Sequence, residues 1–194
     1  LQSYVVHEHL PHFDLWHRAF PQVRFLSTIR HPVDLVGSWN RRRWGERWGV
    51  DPLAFIPVPE TPFGPVPWFA VEMAERYATS TSLEREIIGV SQLVKMYEDA
   101  RQALLPKFTE NIKFVALEVF VEDPIGELQS IADWLGTEMH HHMHIALARE
   151  GVPRPIDLDL RERLVDQFEK EVAKDLFDDL MDLVKSYEQT WIVR

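Results

Sequence analysis

The chain contains no cysteine. That excludes disulfides, thiolate metal centres and a cysteine nucleophile, while leaving the cellular compartment open. It also lacks any apolar run of membrane-spanning length. No G-x-x-x-x-G-K-S/T loop occurs, so the common glycine-rich phosphate cradle is not encoded in these residues. Basic residues are in deficit: 21 Lys and Arg stand against 31 Asp and Glu, a formal charge of −10. Such a balance argues against general nucleic-acid binding. Internal repeats and low-complexity segments are missing as well. What remains is 194 residues, 45% hydrophobic and 27% charged, enough for one globular domain spanning 1–194 with its own core.

The most informative stretch runs from Val23 to Ser38. Val23 to Ile29 is a short, mostly apolar segment with the length of a buried strand. Arg30 stands where it ends. His31-Pro32 breaks the strand and opens a helix, with Pro32 suited to the first helical position. Ser38 lies early on that helix. A guanidinium, a hydroxyl and a helix N-terminus at one junction make a phosphate site: free N–H groups and the dipole favour an anion, and Arg supplies a planar fork. The alternative is an Arg30 salt bridge beside an ordinary helical serine. The charge distribution favours the anion reading. Between Val23 and Gly49, six arginines (Arg24, Arg30, Arg41, Arg42, Arg43, Arg47) face only Asp34 and Glu46, a local charge of +4 on an acidic chain.

Upstream, Gln2 to Val6 reads as a strand leading into His7-Glu8-His9-Leu10-Pro11, with both histidines on one face. A histidine near its ordinary pKa of about 6.5 is suited to general-base work. A metal-binding pair and a structural pair are the other readings. His12 to Pro21 predicts a short covering helix. From Gly45 to Thr81 six prolines (Pro52, Pro57, Pro59, Pro62, Pro65, Pro67) interleave with Trp48, Phe55, Phe63, Trp68 and Phe69. Proline at that density prevents long regular elements. The aromatics form either apolar walls for a substrate or a loop packed on the core.

Helical periodicity over Ser82 to Leu105 predicts one or two helices ending before Pro106. Asn111 to Leu117 reads as a strand, and Ile125 to Leu135 as a helix closed by Gly136. His140, His141, His142 and His144 form a cluster. Consecutive histidines on a helix point apart, so a polar loop or helix edge is expected there rather than a metal site. Asp157 to Tyr187 reads as one long, acidic helical region with an apolar stripe, a packing helix or a homodimer surface. Strands alternating with helices predict an α/β domain with a mainly parallel sheet.

Three of these segments resemble the sulfotransferases that use 3′-phosphoadenosine 5′-phosphosulfate (PAPS). Arg30-His31-Pro32 with Ser38 resembles the family's 3′-phosphate-binding segment. His9-Leu10-Pro11 is similar to the segment carrying its catalytic histidine, although His7 replaces the usual lysine. Leu117-Glu118 through Asp123-Pro124 and Trp134-Leu135-Gly136 resembles a further strand, turn and helix, with Leu117 where some members have tyrosine. The resemblance implies a three-layer sheet of the P-loop nucleoside triphosphate hydrolase type, flanked by helices. It implies sulfuryl transfer from PAPS to a hydroxyl or amine on a small-molecule or glycan acceptor, leaving adenosine 3′,5′-bisphosphate, with no metal required. His9 would be the base, and Arg30 and Ser38 would hold the 3′-phosphate. Arg149 and Arg154 are weaker candidates for phosphate contact, by a loose likeness to the family's C-terminal Arg-Lys-Gly segment. The family's first strand and 5′-phosphosulfate loop are expected upstream of Leu1, and a cytoplasmic location is expected. A catalytically silent nucleotide-binding module and a nucleotide kinase are the alternative functions.

Overall fold

The computed structural model describes residues 10–54 and 56–192. Its elements follow in chain order: α1 (Phe13–Ala19), β1 (Phe25–Ile29), α2 (Pro32–Arg42), α3 (Trp44–Arg47), β2 (Glu60–Thr61), β3 (Gly64–Pro65), α4 (Ala74–Thr79), α5 (Ser82–Phe108), β4 (Ile112–Ala116), α6 (Leu117–Glu122), α7 (Pro124–Leu135), α8 (Met143–Arg149), α9 (Leu158–Glu171) and α10 (Lys174–Trp191). The protein is mixed α/β and mostly helical, at 66%. Among the described residues its parallel sheet has two strands, β1 and β4. The chain divides into two units. One holds the described residues up to Ile29 together with Lys95–Ile156; the other holds Arg30–Val94 and the described residues from Asp157 onward.

In the first unit, β1 and β4 pair in register from Phe25 opposite Ile112 to Ile29 opposite Ala116. Their apolar side chains join a core of Leu10, Phe13, Leu104 and Ile112. Phe13 is fully buried, with its ring 5.1 Å edge-on from Phe25 and 4.9 Å from Phe108. Edge and tilted geometries suit the opposed charge of ring face and rim. The expected burial of β1 holds for only part of it. Leu26 is 45% exposed and Thr28 is also exposed, while Ser27 between them is buried. The strand therefore alternates, as a strand with one covered face does.

α6 follows β4 without a loop, and α7 starts at Pro124 behind an Asp123 cap whose Oδ1 accepts from the Gly126 N–H at 3.0 Å. Gly136, at φ 68°, closes α7 in the left-handed conformation that favours glycine. The Trp134 indole donates to the Glu110 carbonyl at 3.0 Å, and the Arg24 guanidinium donates to the Trp134 carbonyl. α5 runs through Pro106 to Phe108 instead of stopping before the proline. Pro106 stands two residues before the end of α5, so its missing N–H and the crowding of its ring against the preceding turn fall at the C-terminal edge of the helix.

In the second unit α2 lies against α9 and α10. The single long helix expected over 157–187 is two helices, broken at Val172-Ala173. Glu84 accounts for the break. One of its oxygens accepts from the Ala173 N–H at 3.1 Å and the other from the Thr81 N–H at 2.9 Å. It thereby caps α5 and satisfies the start of α10 together. Burial pushes the Glu84 carboxyl up, but these backbone donors outweigh it and hold the group below the usual range. The proline- and aromatic-rich segment packs onto the core. Trp39, Trp48 and Phe69 meet over Gly89, where a methyl group would stand 3.0 Å from both Phe69 and Trp39. Of the two readings of these aromatics, the packed one describes Phe69, which is 4% exposed, whereas Phe63 is half exposed.

Candidate functional site

The strand–turn–helix junction forms as the sequence predicts. β1 ends at Ile29, Arg30 follows it, and Pro32 occupies the first position of α2. Arg30 is half-buried, and Ser38, on the second turn, is 9% exposed. A buried hydroxyl on the second turn of a helix, with an arginine just ahead of its N-terminus, is an arrangement suited to an oxyanion if the guanidinium extends along the helix.

The surroundings of α2 set the charge at this junction. Asp34, one turn before Ser38, carries a negative charge that would oppose an anion. Arg161 of α9 takes both its oxygens, with Nε at 3.2 Å from Oδ1 and Nη2 at 2.7 Å from Oδ2. The two side chains are only 13% and 17% exposed, so this is a shielded bidentate pair. His31 is 1% exposed; its Nε2 donates to Glu188 Oε1 at 3.3 Å, and its ring lies edge-on to Tyr187 at 5.5 Å. Together these contacts tie the start of α2 to α9 and α10.

The arginine-rich segment is less available than its sequence suggests. Arg43, in the left-handed conformation at φ 57°, ends α2 and pairs with Glu46. Arg47 donates to Asp51 at 2.7 Å and covers the Trp44 ring at 4.7 Å. The Arg47 hydrogen bond, aided by the Leu53 N–H, holds the Asp51 carboxyl below its usual range. Arg41 and Arg42 are exposed.

His9 and His7 lie outside the described residues. Arg149 is exposed in the last turn of α8. Arg154 donates from Nη1 to the carbonyls of Glu150 at 3.1 Å and Gly151 at 3.5 Å, so its guanidinium stabilises its own loop. Both belong to the first unit; Arg30 and Ser38 belong to the second.

One buried acid escaped the sequence reading. Glu86 is fully buried on α5. Its Oε1 accepts from the Gly45 N–H at 3.0 Å, and its Oε2 has no hydrogen-bond partner among the described residues. Burial pushes this carboxyl up to about 7; the Gly45 N–H opposes the rise and Glu46 adds to it. The signal was present in the helical spacing. Glu86 falls on the stripe of Leu83, Val90 and Leu93, where an acid must go inside.

No family model matches the chain, and no curated protein or solved structure matches it.

Proposed function

We propose that this chain is a sulfotransferase that takes its sulfuryl group from PAPS. The observation that carries the reading is Arg30-His31-Pro32 at the end of a parallel strand, with Ser38 buried on the helix that Pro32 begins. Support comes also from the second strand of the parallel pair, which leads through Glu118 into the Asp123-Pro124 cap, as the resemblance implies. On this reading the domain is a three-layer sheet of the P-loop nucleoside triphosphate hydrolase type, to which β1 and β4 contribute.

In the proposed mechanism Arg30 and Ser38 hold the 3′-phosphate of the donor. Pro32 and Ser38 are separated by about 9 Å of helical rise, so the Arg30 side chain must extend along α2 for both to reach one phosphate. Binding at this remote group fixes the reacting sulfur in line with the acceptor oxygen or nitrogen. His9 removes the acceptor proton as the new S–O or S–N bond forms and the S–O bond to the nucleotide phosphate breaks. The electron pair leaves on adenosine 3′,5′-bisphosphate, and no metal is required. Arg149 and Arg154 remain secondary candidates for phosphate contact. The acceptor is a small molecule or a glycan.

Calorimetry with adenosine 3′,5′-bisphosphate tests the site. A charge-assisted hydrogen bond contributes about 1.5–3 kcal/mol, so Arg30→Ala weakens binding by about one to two decades. Equal binding by parent and variant removes Arg30 from the site. A sulfuryl-transfer assay then separates the enzyme from a silent nucleotide-binding module. His9→Ala is expected to keep the nucleotide and lose transfer.

A further inference from the structure

The histidine cluster lies where its sequence predicts, in a polar loop at a helix edge. His140, His141 and His142 are not helical; they form the turn before α8. In that turn one ring nitrogen from each of the three lies within 4.8 Å of the others. We propose that His140, His141 and His142 form a surface site for a divalent transition-metal ion of the zinc type, with water completing the coordination.

The donor set selects the ion. Three neutral imidazoles suit zinc, nickel or copper, whereas magnesium and calcium require oxygen ligands. Around tetrahedral zinc, with Zn–N near 2.0–2.1 Å, ligand nitrogens stand about 3.3 Å apart. The widest pair of histidine nitrogens must therefore close by at most about 1.5 Å, which exposed side chains achieve by turning about their side-chain torsions. Two of the three ring pairs already cross steeply, at 56° for His141 and His142 and 67° for His140 and His142. The third, His140 with His141 at 29°, must open from its stacked arrangement. His140 Nδ1 accepts from the His142 N–H at 3.2 Å, so its lone pair is directed into the turn, and the metal takes the place of that N–H. His144 braces the site from α8. Its Nδ1 donates to the His141 carbonyl at 2.9 Å, a contact of the kind that orients metal-binding loops. The acidity of the whole chain favours a cation.

The site is independent of the sulfotransferase reading and is tested with zinc alone. The full chain, stripped with chelator, is titrated with zinc chloride by calorimetry beside His141→Ala, His142→Ala and the triple variant His140→Ala, His141→Ala, His142→Ala. The expected result is saturable one-to-one binding at micromolar zinc, weakened at least tenfold by either single substitution and abolished by the triple variant. Failure to saturate below millimolar zinc overturns the proposal. So does equal binding by the triple variant, which would assign the ion to other histidines of the nine in the chain.

Discussion

Replacing Glu86 with glutamine should change how the stability of the protein depends on pH. Glu86 is fully buried, with one oxygen on the Gly45 N–H and the other without a partner among the described residues. Glu46 on α3 repels its ionised form, and the Tyr77 hydroxyl on α4, pushed up to about 12 chiefly by burial, is raised further by the Glu86 charge and lowered by Arg85. In the folded state the Glu86 carboxyl is pushed from 4.5 to about 7. The folded chain therefore binds this proton more tightly than the unfolded chain does. Stability falls as pH rises through the window from 4.5 to 7 and levels off above it. A shift of about two and a half pH units, at 1.36 kcal/mol per unit, corresponds to about 3 kcal/mol. Glutamine has nearly the same shape, keeps an oxygen for the Gly45 N–H and does not titrate. Urea denaturation of both proteins between about pH 4.5 and 8.5 isolates the effect, since every other group titrates alike in the two. The variant should gain about 3 kcal/mol on the parent across that range, or about 1.5 M in the urea midpoint at an m-value of about 2 kcal/mol/M. A difference between the two proteins that varies by less than about 0.5 kcal/mol across the range would show that Glu86 is solvated or paired, and the reasoning would fail.

Two glycines that look equivalent in the sequence should respond differently to alanine. At Gly45 a methyl group would stand 2.2 Å from the Ser82 carbonyl oxygen, so Gly45→Ala is expected to cost about 1–3 kcal/mol in urea denaturation. At Gly37 it meets only the tip of the flexible Leu164 side chain, and the helix gains about 1 kcal/mol from losing a glycine; Gly37→Ala should stay within about 1 kcal/mol of the parent, and the reverse order would contradict the packing described. Arg161→Ala strands a shielded Asp34 carboxylate and should destabilise by about 1.5–3 kcal/mol. A double-mutant cycle with Asp34→Ala should recover a coupling of about 1 kcal/mol or more, and no coupling would reduce the pair to a surface contact.

The parts of the fold that were legible are those fixed by neighbouring residues. Pro32 marks the start of α2, Asp123-Pro124 the start of α7 and Gly136 its end, because cap chemistry acts within one turn. β1 and β4 were found within two residues at each end, since short apolar runs bounded by polar residues leave few other choices. The misses have distant causes. The break at Val172-Ala173 depends on Glu84, about ninety residues earlier. Pro106 is carried within α5 near its end, although proline locally disfavours a helix there. His31 is buried by elements that no local pattern announces, whereas Glu86 lies on the apolar stripe of its own helix. The histidine cluster lies in a polar turn at the edge of α8, as its sequence predicts, but the convergence of three rings within that turn is not visible in the sequence.

The candidate anion site shows the same division between near and far. Its two ligands, Arg30 and Ser38, lie eight positions apart, and their spacing is visible in the sequence. Its electrostatics are not. Read locally, the segment carries an excess of arginine, but Arg24, Arg43 and Arg47 are each drawn to partners of their own. The more important cancellation concerns Asp34, a carboxylate on the same helix one turn from Ser38. A free carboxylate there would repel a phosphate at close range, and burial would strengthen the repulsion. The residue that removes it, Arg161, stands 127 positions away in the acidic C-terminal region. On the proposed reading, the C-terminal helices therefore do more than cover α2. They supply the cation that lets its N-terminus act as an anion site, and an acidic chain can hold a polyanion without a net positive surface.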